Sequence, residues 1–422
     1  SLMAVAFFSG RLFQNYVLLR YEEGVRELAM FALAMAFFHP FRGTLIFAPQ
    51  MANVLVRGPK SFRASFSFLI GMSVLFTVPI LLVAWTPLGR RIMPLIYGVS
   101  DENIRLILLY LRYFTPLVLV GGVCFYCEGL LVQAKRTGIV SALRIGSLGM
   151  LVAVLVIGCG LRWRPVTAVG LSVLLSAVTH AIVAGGFTLA FRVRHSGGED
   201  SALKQREIAA FFLPMVATTV MFALTWPIIF AFLTSLNPDG DPGLPAVEPM
   251  IAGVSLALSF SLLFHATLNQ LRHLLVTFVR EDRRGVRRFV MRVTAGVAVL
   301  MVIVVVSPAA RLFLRHLQGA EGPTLTMARQ ALWVMLLVPP IVGCRNYFHG
   351  LAMVDRRTGA MAAGSFARNL AVIVCAPALV ALGWYNHVAA AIMFVSALAA
   401  EAATVFLLTR ARRRKSADQD VK

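Results

Sequence analysis

The sequence predicts an all-α, polytopic membrane protein of about twelve transmembrane helices, built as two parallel-repeat six-helix bundles. Three observations predict it. Apolar runs of 18 or more residues recur along the whole chain. Charged residues make up only 14% of the sequence against 59% hydrophobic, with a mean hydropathy of +0.79. Two distant blocks of the chain also return in the second half at an almost constant spacing. In lipid every backbone N–H and C=O must be satisfied within the protein, so continuous apolar runs are read as helices. The alternating pattern of a transmembrane β-barrel strand is absent from them.

Taken in order, the first six spans are expected near 1–20, 28–55, 64–87, 105–134, 138–160 and 166–191. The second six are expected near 208–235, 249–279, 289–309, 325–353, 359–383 and 386–409. This divides the chain into an N-terminal six-helix bundle, 1–194, and a C-terminal one, 208–409. A cytoplasmic linker, 195–207, carries His195, Ser196, Gly197, Gly198, Glu199 and Asp200. A basic tail runs over 410–422. The chain opens on Ser1 directly in an apolar stretch, with no basic region or small-residue cleavage site before it. No signal peptide is read, and the first span is expected to be clipped.

The net charge is +21 and the pI about 11.0. No nucleic-acid motif accompanies it, so a nucleic-acid partner is not expected. Lys and Arg gather instead in alternate loops. Arg57, Lys60 and Arg63, Lys135 and Arg136, Arg192, Arg194, Lys204 and Arg206 lie on one side. So do Arg280, Arg283, Arg284, Arg287, Arg288, Arg356, Arg357 and the tail. The opposite loops hold only Arg26, Arg90, Arg91, Arg105, Arg162, Arg164, Arg311 and Arg315. Positive charge stays on the cytoplasmic side. Both termini are therefore expected in the cytoplasm of a multi-pass protein of the bacterial inner membrane. Cys124, Cys127, Cys159, Cys344 and Cys375 all fall in apolar runs. Cys124 and Cys127 form a C-x-x-C, but no second pair or His follows at zinc spacing, so no metal or cofactor is expected.

The halves repeat. Tyr126-Cys127-Glu128-Gly129-Leu130, with Lys135-Arg136-Thr137-Gly138, returns as Tyr347-Phe348-His349-Gly350-Leu351 with Arg356-Arg357-Thr358-Gly359. The offset is a constant 221 residues. Leu33, Ala34, Phe37, Phe41, Thr44, Leu45, Val56 and Arg57 match Leu256, Ala257, Phe260, Phe264, Thr267, Leu268, Val279 and Arg280 at nearly the same offset. Six spans per half make this a parallel repeat about an axis along the membrane normal. Two such bundles suit alternating access to a central cavity.

Charges within spans cost about 2.5–3.5 kcal/mol each on insertion scales and are default functional candidates. Here they are mostly cationic. Arg11, near Gln14 and Asn15, lies in the first span, Arg42 in the second and Arg144 in the fifth. The eighth holds His265, Asn269, Gln270, Arg272 and His273. Arg345, Asn346 and His349 lie in the tenth, and Arg368 and Asn369 in the eleventh. Arg144 and Arg368 lie about two turns into their spans, where snorkelling to the interface competes with a cavity role. Arg42 pairs with His265 across the repeat. Guanidinium forks match phosphate geometry and concentrate anions. The expected substrate site is therefore Arg11, Arg42, His265, Asn269, Arg272 and Arg345, acting on an anionic, phosphate- or pyrophosphate-bearing molecule. The spans hold two acids, Glu128 and Glu401. They are the candidates for H⁺ or Na⁺ coupling, with pairing of Glu128 to Arg144 or Lys135 as the structural alternative. Pro40, Pro49, Pro214, Pro227, Pro339 and Pro340 are expected to interrupt spans. No G-x-x-x-x-G-K-[ST] loop and no hydrolytic constellation is present, so the chain reads as a secondary transporter and not an enzyme.

The pattern resembles the multidrug/oligosaccharidyl-lipid/polysaccharide (MOP) exporter superfamily, which holds multidrug and toxin extrusion (MATE) transporters and lipid flippases. The resemblance rests on Val17 to Gly24 running into Leu28 to Phe38. It rests also on Pro87-Leu88-Gly89 to Ile96 with Asp101, Glu102 and Leu109 to Arg112, and on Gly129 to Gly138 with Gly350 to Gly359. Phe41 to Val56, Leu88 to Ile104 and Trp226 to Leu233 are most similar to the progressive-ankylosis (ANK-type) branch, which implies export of pyrophosphate and other small anions. The drug-exporting branch implies an acidic residue in the first or seventh span. Here the first span has Arg11, and 208–235 has no Asp or Glu. The lipid II flippases imply Arg in the first, second and eighth spans, matched by Arg11, Arg42 and Arg272. The alternatives are thus a flippase for polyprenyl-pyrophosphate-linked saccharides and a MATE-type cation antiporter.

Overall fold

In a computed structural model of the chain, residues 2–190, 203–236, 246–269, 271–279, 281–355, 358–384 and 386–419 are described. Residues 195–202 of the expected linker, residues 191–194 before it, the loop cations Arg280, Arg356 and Arg357, and Gln270 lie outside them. The side chains of Pro214, His273 and the tail beyond Arg410 do too. Among the described residues every regular element is helical.

The helices are α1 (Leu2–Leu18), α2 (Gly24–Gly43), α3 (Ala48–Leu55), α4 (Pro59–Trp85), α5 (Leu88–Tyr97), α6 (Asp101–Gln133), α7 (Thr137–Gly160) and α8 (Pro165–Ala190). They continue as α9 (Gln205–Ser235), α10 (Val247–Leu268), α11 (Leu271–Phe278), α12 (Arg283–Val306), α13 (Pro308–Leu312), α14 (Gly322–Met335), α15 (Val338–Val354), α16 (Thr358–Ala381) and α17 (His387–Gln419). Among the described residues ten helical segments are long and apolar enough to cross a membrane, the first of them α2 and α3 together. The pair α14–α15, bent by 44°, makes an eleventh. The chain is an integral, multi-pass membrane protein.

Local chemistry sets the boundaries. Ser100 caps α6 by accepting from the Asn103 N–H, and Asp101 and Glu102 complement the helix dipole in its first turn. Asp282 caps α12 through the Gly285 N–H at 2.8 Å. Gly98 ends α5 in the left-handed region at φ 56°, where glycine carries no Cβ penalty.

The duplication is visible element by element. A long helix interrupted by a short break, α2–α3, returns as α10–α11. A peripheral helix, α4, returns as α12; only 22% and 17% of their apolar windows are buried, so both face lipid. Short α5 returns as α13 with the wide turn Phe313–Leu317. The long α6 returns as α14–α15. Pro116 inside α6 stands 221 residues before Leu337, where α14 gives way to α15. Finally α7 and α8 return as α16 and α17. The expected second, eighth and tenth spans are thus each two helices and not one. Pro49, Pro339 and Pro340 sit at N-terminal positions of α3 and α15, where a missing N–H costs nothing.

Two compact units result. One comprises residues 30–223, the other residues 3–29 with 224–422. In the first, α6 packs on α3, α4 and α8, and α7 on α8. Phe31, Phe38, Tyr110 and Phe114 fill its centre, and the Tyr97 hydroxyl donates to the Leu33 carbonyl of α2. In the second, α15 packs on α11, α12 and α17, and α16 on α17, the same set of partners. The rings of Phe230 and Phe394 pack at a tilt against Trp226 there.

Two glycines one repeat apart bring the post-break helix onto its neighbour. A Cβ on Gly129 of α6 would meet the Pro49 carbonyl of α3 at 2.5 Å, and one on Gly350 of α15 would meet the Leu275 Cβ of α11 at 2.7 Å. Gly129→Ala and Gly350→Ala are expected to lower thermal stability by about 1–3 kcal/mol through overpacking. Gly138→Ala, in open space, is expected to leave it unchanged. Fluorescence-monitored melting of the detergent-purified protein checks this.

Candidate functional site

The intramembrane charges sort into two kinds. The first kind is paired. In the unit of residues 30–223, Glu128 on α6 is 2% exposed. The Arg144 guanidinium of α7 forks onto it, Nε to Oε1 at 3.0 Å and Nη2 to Oε2 at 2.8 Å. His180 of α8 places Nε2 3.3 Å from Oε1, without hydrogen-bonding geometry. Glu128 thus takes Arg144, not Lys135, as its partner. Cys124 lies one turn before Glu128, and Cys124, Glu128 and His180 offer donor atoms within 4.8 Å of one another. Zinc accepts such donors. Here, however, Arg144 engages both oxygens of the carboxylate, so the geometry serves an ion pair.

In the other unit Glu401 of α17 is 1% exposed. Arg345 of α15 and Arg368 of α16 donate to its Oε2 at 3.3 and 3.0 Å, and His349 of α15 places Nε2 3.5 Å from Oε1. Arg345 also donates to Asn269 at 3.0 Å and to Asn346 at 3.3 Å. Asn346 donates in turn to the Leu268 carbonyl at 3.0 Å. That carbonyl lies at the α10–α11 break, where the interrupted helix leaves backbone acceptors without intrahelical donors. Two expectations change here. Arg345 is held by a buried counter-charge and by side chains bracing the break, not standing free for an anion. Arg368, fully buried, does not snorkel, because its carboxylate partner lies on the neighbouring helix.

The second kind stands without a carboxylate partner among the described residues. Arg11 of α1 donates through Nη2 to Ser255 of α10 at 3.2 Å, while its buried Nε has no acceptor. One turn on, Asn15 donates to Ser259 at 3.1 Å, so two rungs tie α1 to α10. Arg42, half-buried near the end of α2, lies with Nε beside Gly121 of α6 and has no carboxylate partner among the described residues. Arg272 opens α11, half-buried, with its buried Nε unsatisfied. Guanidinium N–H groups buried without acceptors cost free energy that an anionic ligand would recover. His265 is buried and faces Ser261 of its own helix at 3.3 Å. Arg42 and Gly121 belong to the unit of residues 30–223. Arg11, His265, Asn269, Arg272 and Arg345 belong to the other.

No family model and no curated protein matches this sequence. Solved structures do match its fold. An inward-facing multidrug-resistance MATE family transporter of the MOP superfamily aligns at a TM-score of 0.71 and 11% identity, covering 97% of this chain and 94% of that one. The lipid II flippase MurJ in an inward closed conformation aligns at 0.70 and 15% identity, covering 97% and 87%. The chain has the MOP transporter fold. A further MOP superfamily transporter, from Pyrococcus furiosus, whose binding pocket is described as of reverse polarity, aligns at 0.59 and 15% identity, covering 97% and 93%. In all three cases the likeness is one of fold. It accounts for the two-repeat helix order and leaves the chemistry to the residues above.

Proposed function

We propose that this MOP-fold chain is an alternating-access secondary transporter that exports an anion bearing phosphate or pyrophosphate. The residues proposed to bind it are Arg11, Arg42 and Arg272, together with His265 and Asn269. One observation carries the reading: these three guanidinium groups lie in or directly after apolar helices with no carboxylate partner among the described residues, whereas Glu128 and Glu401 are both engaged by arginine. A cation carrier would need the reverse. The halves 1–194 and 208–409 act as the two moving repeats, with linker and tail in the cytoplasm, as the Lys and Arg bias supports. The ANK-type resemblance favours pyrophosphate among small anions. The match to MurJ, a lipid II flippase, favours a second reading, a polyprenyl-pyrophosphate-linked saccharide; both substrates present the same diphosphate.

Reconstituted proteoliposomes distinguish them. Labelled pyrophosphate is expected to accumulate, and a lipophilic phosphonium cation is not. Arg42→Ala is expected to slow uptake about 10- to 100-fold, as loss of one charge-assisted contact implies. Transport of the cation but not the anion would reverse the substrate class. Movement of a fluorescent polyprenyl diphosphate without free pyrophosphate would establish the flippase.

A further inference from the structure

The two paired groups are the same group with its members exchanged. Glu128 and His349 stand at equivalent positions, 221 residues apart, and so do His180 and Glu401. Where one repeat puts acid on the fourth span and imidazole on the sixth, the other puts imidazole on the fourth and acid on the sixth. The contact survives the exchange: Nε2 faces Oε1 at 3.3 Å in one unit and 3.5 Å in the other. Arginine follows the acid. Arg144 and Ser147 are equivalent to Ser365 and Arg368, so the guanidinium shifts by one helical turn on the same face to reach the relocated carboxylate. Four substitutions that together preserve carboxylate, guanidinium and imidazole mark a set that acts as a unit.

The sets differ in charge. With neutral imidazoles, Glu128 and Arg144 cancel. Glu401 is outnumbered by Arg345 and Arg368, because Arg345 occupies the position equivalent to Cys124. The neighbours matter too. Arg42 of α2 lies within electrostatic reach of Cys124, and Cys127 faces Thr188 of α8. Around Glu401, Arg272 of α11 adds to the field of Arg345, and that field reaches the uncharged His265 of α10. An added proton leaves the first set singly positive and the second doubly positive inside the membrane.

We propose that the Glu128–His180 pair is a proton-binding site and that Glu401–His349 is its charge-locked counterpart. A proton from water adds to the lone pair of His180 Nε2, and the Glu128 carboxylate, 3.3 Å away, balances the charged imidazole; release returns the proton to water. The proton's use in driving export rests on the transport reading, whereas the site itself does not.

The test is ¹⁵N-histidine NMR of the full-length protein at about pH 5 and about pH 8, the range in which imidazoles change charge. One imidazole signal that changes protonation state is expected to vanish in His180→Gln. It is also expected to stop changing in Cys124→Arg, which copies the second set's extra cation. Arg345→Cys is expected to add a changing signal, from His349. Changing signals identical in wild type and His180→Gln would overturn the proposal. Should His180→Gln not fold, Arg345→Cys decides: a gained signal supports the site, and no gain overturns it. A proton site without anion transport would remove the transport reading alone.

Discussion

Glu401→Ala is expected to yield no stably folded protein. The substitution strips the carboxylate from Arg345 and Arg368, which are 6% and 0% exposed. Removing one partner of a buried ion pair costs about 3–5 kcal/mol, because the cation left behind has neither water nor counter-charge. Here two cations share the loss. Arg345 also donates to Asn269 at the α10–α11 break and to Asn346, which itself donates to the Leu268 carbonyl there, so the defect spreads to a second contact. Glu128→Ala provides the contrast. Arg144 keeps 30% of its side chain exposed and can turn towards polar surroundings. That variant is expected to fold with a cost of about 1–3 kcal/mol. Size-exclusion profiles and melting curves of the two purified variants measure the difference. Equal behaviour would mean that Glu401 does not bear the second unit's charge.

The sequence carries the architecture well and the pairings poorly, for a physical reason. A membrane span is a property of twenty neighbouring residues, and a duplication is a property of recurring identity; both can be read along the chain. The 221-residue recurrence around Glu128 and His349 locates the repeat through Gly129, Gly350 and their neighbours. The same comparison passes over residues 128 and 349 because they differ. Only complementarity with a second differing pair, 180 and 401, reveals that they exchange. Arg368 shows a similar limit. Its distance from the helix end suggests an escape to the interface, but the deciding fact is Glu401, on another helix thirty-three residues away. The helix breaks were partly foreshadowed by Pro49, Pro339 and Pro340. The break at Asn269 has no proline, and the side chains that brace it come from α15. Contacts between helices require the register of both, and composition supplies neither.

Arg11→Ala is expected to weaken pyrophosphate binding about 10- to 100-fold while leaving the fold intact. The side chain is tethered at one end: Nη2 donates to Ser255, which holds the guanidinium plane while buried Nε stays unpaired. A tethered fork has already lost much of its rotamer freedom, so less is lost when an anion binds. Fold stability depends little on it, because Asn15 and Ser259 keep the second rung between α1 and α10. Arg11→Lys separates charge from geometry. Lysine retains the positive charge but presents no planar pair of donors, so it is expected to recover part of the affinity. Ser255→Ala removes only the tether and is expected to cost less than Arg11→Ala. Binding isotherms for pyrophosphate and phosphate on the four proteins order these effects. Pyrophosphate, carrying more charge, is expected to lose more than phosphate when the cation goes. If Arg11→Lys matched wild type for both anions, bare charge would suffice and the fork would have no role. If all variants bound alike, Arg11 would be a helix tie and the anion would rest on Arg42 and Arg272.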